Sequence, residues 1–178
     1  MGRTHFLSGQ VAWLGLAPLA TDNLWHIGLG TVVAAIGALG PDIDHGGSTI
    51  SRRTWGPLHY RMGSGIGTAL GGHRMGAHSV WSVAFVFVVL SFVTSTFVSA
   101  LWPWVPLAYT LGWAMHIFGD LLTEHGVGVL YPYSRRRFRL ASINTGGGVE
   151  LFLRGLLHLG RIVAIMLLTG ISWQAFVQ

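Results

Sequence analysis

From His78 to Trp102 the chain runs without a single formally charged side chain. A helix needs about 20 apolar residues to cross the hydrocarbon core of a bilayer, and this run is long enough. The rest of the sequence agrees with a lipid environment. Apolar residues make up 51% of it and charged residues only 10%, whereas a soluble domain carries about a quarter charged. So few charges cannot cover a water-facing surface, and lipid has to cover much of it.

Four further apolar runs lie near His5–Ala20, Leu24–Leu39, Val105–Leu122 and Leu151–Val177, the last interrupted by Arg154 and Arg161. The expected fold is all-α, a polytopic transmembrane bundle with about four to five membrane helices. It forms one domain over residues 1–178, with a ligand-bearing core at 4–150 and a C-terminal helix at 151–177. The first two runs are short, and tilting or local bilayer thinning accommodates such helices. The tight connection at Thr21, Asp22 and Asn23 predicts an antiparallel hairpin, with Asp22 or Asn23 capping the second helix. Pro103 and Pro106 mark the turn between the third and fourth helices, and Trp102 with Trp104 fits an interfacial aromatic belt. Arg3, the apolar run from Phe6 and the small residues Ala17 and Ala20 loosely resemble a secretory signal, but the expectation is an uncleaved first helix.

Two longer connections, Gly40–Ala77 and Thr123–Val149, read as extramembrane loops. Every basic residue is arginine, and the arginines cluster there: Arg52, Arg53, Arg61 and Arg74 in one loop, Arg135, Arg136, Arg137 and Arg139 in the other. If the helices alternate in direction, both loops and Arg3 fall on the same side. The positive-inside tendency makes that side cytoplasmic in an inner or plasma membrane. Membrane lipid is the partner such basic runs imply. Nucleic acid is the other class they permit, and no finger motif or aromatic interleaving supports it. The glycines at 63, 65, 67, 71 and 72 form no nucleotide loop, because no Walker lysine follows them.

The same alternation gathers polar residues at the cytoplasmic end. His5 begins the first helix, and Asp42, Asp44 and His45 follow the second. His73 and His78 precede or begin the third, His116 and Asp120 end the fourth, and Glu150 opens the fifth. His116 and Asp120, four apart, share one helical face inside an apolar run. Such a pair is expensive in a membrane and is a functional hypothesis by default, with a simple hydrogen bond between helices as the plainer alternative. Asp42-Ile43-Asp44-His45 follows a helix C-terminus, where carboxylates are electrostatically misplaced unless a cation is bound. The chain has no cysteine, so thiolate ligands are excluded. Imidazole and carboxylate suit a divalent ion, zinc first, then manganese or iron. Catalytic zinc takes three protein ligands plus water, so nine candidates point to more than one ion or to a layer of supporting residues. His26, His59 and His158 read as ordinary, and His125 stands close to Asp120 as a weaker candidate.

Together these motifs resemble the YdjM-like family of inner-membrane-associated proteins regarded as metal-dependent hydrolases. The resemblance runs from Thr4-His5 through Pro41-Asp42-Ile43-Asp44-His45, His73-Arg74-x-x-x-His78-Ser79 and His116-x-x-x-Asp120 to Arg137-Phe138-Arg139-Leu140. The family's usual His-Arg-Gly-x-Thr-His-Ser pattern is altered here, with the glycine displaced to Gly76 and Ala77 replacing the threonine. The family is distantly similar to zinc-dependent phospholipase C and related nucleases. That similarity implies hydrolysis of a phosphoester or lipid-related substrate by metal-activated water. Asp42 or Asp44 is then a base or a metal bridge, and Arg74 a stabiliser of developing negative charge. The alternatives from other classes are a non-catalytic pore or lysis accessory, whose cluster only joins helices, and a metal transporter. A transporter calls for ligands at the bilayer midplane, which the one-sided gathering disfavours.

Overall fold

The computed structural model describes residues 1–101 and 103–170. The place of Trp102 in an aromatic belt, and the last residues of the expected C-terminal helix, lie outside the described residues. Among the described residues, seven α-helices follow one another: α1 Gly2–Ala20, α2 Leu24–Gly37, α3 Thr49–Trp55, α4 His59–Ala69, α5 Val80–Phe97, α6 Trp104–Leu121 and α7 Gly148–Thr169. Among the described residues no strand forms, and only two isolated bridges, Thr123 with Ile143 and Val127 with Phe138, tie the last loop together. The all-α expectation holds. Among the described residues, three segments are long and apolar enough to cross a membrane: Leu24–Asp44, Val80–Phe97 and Gly148–Thr169.

Local chemistry sets several boundaries. Asn23 caps α2, its side-chain oxygen accepting from the Trp25 amide at 2.9 Å, as a short polar side chain before a helix does. Ser48 and Ser79 cap α3 and α5 in the same way. His78 therefore does not begin the long helix. It ends a short 3-10 turn, Gly76–His78, and α5 starts at Val80.

The helices α1, α2 and α6 pack on one another, with α5 laid against α6 and α7 against α1. At the end away from the polar cluster, Trp13, Leu14, Ile27, Ala34, Trp104 and Ala108 form the core. Small residues let α2 and α6 approach closely. A Cβ at Gly112 would collide with the Ala34 carbonyl, and one at Gly37 with that of Tyr109. Close backbone approach through small residues is how helices associate where apolar burial alone gives no advantage over lipid.

The connection after α2 holds the two short helices α3 and α4, which the glycine-rich sequence did not disclose. Glycine costs a helix about 1 kcal/mol relative to alanine, so propensity argues against α4. Packing requires those glycines. A Cβ on Gly63 would come within 2.7 Å of Gly46, and one on Gly67 within 2.5 Å of the Asp44 carbonyl. The helix thereby holds the Asp42–Asp44 turn in place.

Candidate metal centre

The fold brings together His5 from α1, Asp42 and Asp44 from the turn after α2, His73 and His78 from the loop before α5, and His116 and Asp120 from α6. Two sets have ligand atoms close enough to hold a metal ion: Asp42, Asp44, His73 and His78, and His5, His116 and Asp120. The sets touch, because Nε2 of His78 lies 3.2 Å from Nε2 of His116.

The orientation of these rings follows from their other nitrogens. His116 Nδ1 is 2.7 Å from the Ala38 carbonyl, which only accepts, so Nδ1 carries the proton and Nε2 the lone pair. His78 turns Nδ1 toward Asp44 Oδ2 at 3.4 Å, and burial pushes its pKa below the ordinary histidine value. Neither His78 Nδ1 nor Asp44 Oδ2 has a hydrogen-bond partner. The His116 Nε2 lone pair and His78 Nε2 thus face each other in a buried site, where a cation or a proton between them is stabilising. A protein oxygen holding the second nitrogen of a metal-ligating histidine is the usual means of fixing its tautomer.

The carboxylates complete the set. Asp120 Oδ2 lies 3.6 Å from Nε2 of both His78 and His116, and Asp42 Oδ1 lies 3.6 Å from Nε2 of His116 and 4.0 Å from that of His78. Donors at about 2.0–2.1 Å from a tetrahedral zinc stand about 3.3–3.4 Å apart, so the two imidazole nitrogens and Asp120 Oδ2 stand near the spacing of three ligands, with Asp42 Oδ1 beside them. His5 stacks on His116, ring centres 3.9 Å apart, with its Nε2 3.3 Å from Asp120 Oδ1. His73 Nδ1 meets Asp44 Oδ1 at 2.7 Å. Asp44 is fully buried between two imidazoles, and its Oδ2 has no hydrogen-bond partner. A buried carboxylate without a cation is costly, and a bound divalent ion removes that cost.

Backbone anchors fix the ligands. Trp113 Nε1 donates to the Ala77 carbonyl at 3.0 Å, tying the His78 turn to α6. Arg74 has a left-handed backbone, φ 66°, a conformation that non-glycine residues seldom adopt. Its guanidinium donates to Asp120 Oδ1 at 3.1 Å and to the Thr123 hydroxyl at 2.7 Å. Thr123 is a partner that sequence reasoning missed, and only its place three residues after Asp120 hinted at it.

Two predicted ligands lie apart from both sets. His45 is exposed and stacks on His73 with ring centres 4.7 Å apart. Glu150 is buried but accepts from the Thr4 hydroxyl at 2.5 Å and the Gly146 amide at 2.6 Å, clasping α7 to α1. Asp42 and His73 are the open members, with side chains 23% and 34% exposed. Asp42 and His45 face a recess of about 220 Å³ that Ser48 and Thr49 also line. The arrangement thus has a buried ligand floor and a polar entrance.

The chain matches the YdjM inner membrane protein family over residues 1–177. It is 28% identical over 139 residues to the uncharacterized protein YvsG of Bacillus subtilis (strain 168), covering 76% of this chain and 75% of that one. No solved structure matches it.

Proposed function

The chain belongs to the YdjM inner membrane protein family, and on that premise we propose that it is a multi-pass, metal-dependent hydrolase that cleaves a phosphoester at the cytoplasmic membrane face. The observation that carries this reading is the pair of imidazole nitrogens turned on each other, with the Asp120 and Asp42 carboxylate oxygens 3.6–4.0 Å from them. These residues would hold a divalent ion, zinc by ligand type, which when bound would supply a Lewis acid for a phosphoryl oxygen and a water of pKa about 7.

The chain's own residues supply the rest. His5, His78, His116 and Asp120 hold the buried side of the centre. Asp42, open to the recess, takes the proton of the attacking water. The water oxygen forms the new bond to phosphorus, the bond from phosphorus to the ester oxygen breaks, and Asp42 returns its proton to that leaving oxygen. Arg74 holds Asp120 in place, which supports a positioning role more than contact with substrate. Two adjoining ligand sets support a second ion.

The helix lengths support a reading with five crossings. At 1.5 Å per residue the 19 residues of α1 and the 18 of α6 extend about 27–29 Å, close to the core of a bilayer. The arginine loops then share the metal side, and the positive-inside tendency supports a cytoplasmic centre.

The Arg74–Asp120 pair favours one second reading, a non-catalytic membrane protein whose cluster only joins helices. Metal analysis of detergent-purified protein by mass spectrometry separates the two. One or more zinc or manganese ions per chain, lost in Asp120→Ala and Asp44→Ala, supports the hydrolase and justifies a phosphoester screen. A folded protein that takes up no ion when metals are offered back overturns it.

A further inference from the structure

A second cavity adjoins the centre. It measures about 290 Å³ and runs between α1, α6 and α7. Its walls are Val11 of α1, Met115 and Phe118 of α6, and Leu153, Leu156 and Leu157 of α7. It exists because α7 leans on α1 and leaves a cleft toward α6. Apart from Thr4, Ser8, His5 and Glu150, its lining is apolar.

Three observations identify what fills it. Phe118 and Leu156, at the cleft, are 47% and 48% exposed, on helices that a bilayer surrounds, so the cleft opens toward hydrocarbon rather than water. Its inner end reaches the metal ligands, since His5 belongs both to the cavity wall and to the ligand set with His116 and Asp120. Gly119 keeps that end open, because a Cβ there would stand 2.8 Å from His5 Nδ1. An apolar cleft that enters from the lipid and ends at a polar centre fits an amphiphile.

We propose that this cleft receives a hydrocarbon chain of a membrane phospholipid, with the phosphoester of the same molecule at the His/Asp centre. The placing of the head rests on the hydrolase reading, whereas the placing of the chain does not. The recess beside Asp42 and His45 then serves as the route for water and for the released head group.

The test uses the full chain in vesicles of phosphatidylethanolamine and phosphatidylglycerol. The probe is a phosphatidylglycerol with a diazirine near the end of one acyl chain. After irradiation, mass spectrometry maps the adducts. They are expected on Met115, Phe118 and Leu157, and to fall about tenfold in Leu153→Trp, which removes room for a few methylenes worth about 0.8 kcal/mol each. Retained metal in that variant shows that it has folded. Phe85→Trp, on the outer face of α5, is expected to leave the adducts unchanged. Adducts spread equally over Phe85, Phe92 and the cleft, or indifferent to Leu153→Trp, overturn the proposal. Asp120→Asn separates the two readings. Cleft adducts that persist while no phosphoester is cleaved by any form uphold the chain site and sink the hydrolase. Turnover of bis(p-nitrophenyl) phosphate without cleft adducts does the reverse.

Discussion

The helices α5 and α6 have the same length and are both strongly apolar, yet they do opposite things. In α5 only Thr94 is buried, and Phe85, Val88 and Phe92 face outward with about two thirds of their surface exposed. In α6 half of the positions are buried, among them Trp113, His116 and Asp120. Hydrophobicity therefore reports the surroundings of a helix, and its polar residues report its place in the bundle. A sheath helix can meet a hydroxyl from its own backbone, as Thr94 does on the Leu90 carbonyl. An inner helix can carry an imidazole and a carboxylate because other protein groups meet them.

The comparison breaks most visibly at Asp120. Asp120→Ala leaves the mostly buried Arg74 guanidinium without its carboxylate, and removing one partner of such a pair costs about 3–5 kcal/mol. Thermal unfolding in detergent should show that loss together with lost metal. Adding Arg74→Met should restore much of the stability and none of the metal, separating the ion pair from the ligand function. Next comes Gly112→Leu, where a side chain is forced against the α2 backbone. Overpacking of this kind costs about 1–3 kcal/mol, and metal affinity should fall with it, since His116 loses its register with Ala38. Trp113→Phe removes part of the indole's volume and drops the bond to the Ala77 carbonyl, for about 1–2 kcal/mol. On α5, Phe92→Leu should change the melting point by no more than about 0.5 kcal/mol implies. A large effect there would mean that α5 packs against protein and is not a sheath.

The membrane character and the convergence of His5, Asp42, Asp44, His73, His78, His116 and Asp120 were legible in the sequence. Both follow from apolar run length and alternating direction, which are local properties. What was not legible depends on contacts between distant segments. Arg74 reads in sequence as a stabiliser of developing negative charge, and only the fold turns it onto Asp120 and Thr123. Glu150 reads as another ligand, and the fold gives it to Thr4 and Gly146. The glycines of α4 look like loop residues until the Asp44 turn is seen lying against them. Ala77, in place of the family's threonine, offers the Trp113 ring nitrogen its carbonyl, a backbone role that no side-chain pattern encodes.

The bond from His116 to the Ala38 carbonyl makes the sliding of one helix on another a chemical variable. A shift of α2 along α6 by one residue would withdraw the acceptor and let the imidazole exchange its proton between nitrogens. The electron pair offered to a ligand would then weaken or turn away. The glycines that set this register, Gly37 and Gly112, touch no ligand. Small changes along that seam can therefore retune the reactivity of the centre while every coordinating side chain stays as it is.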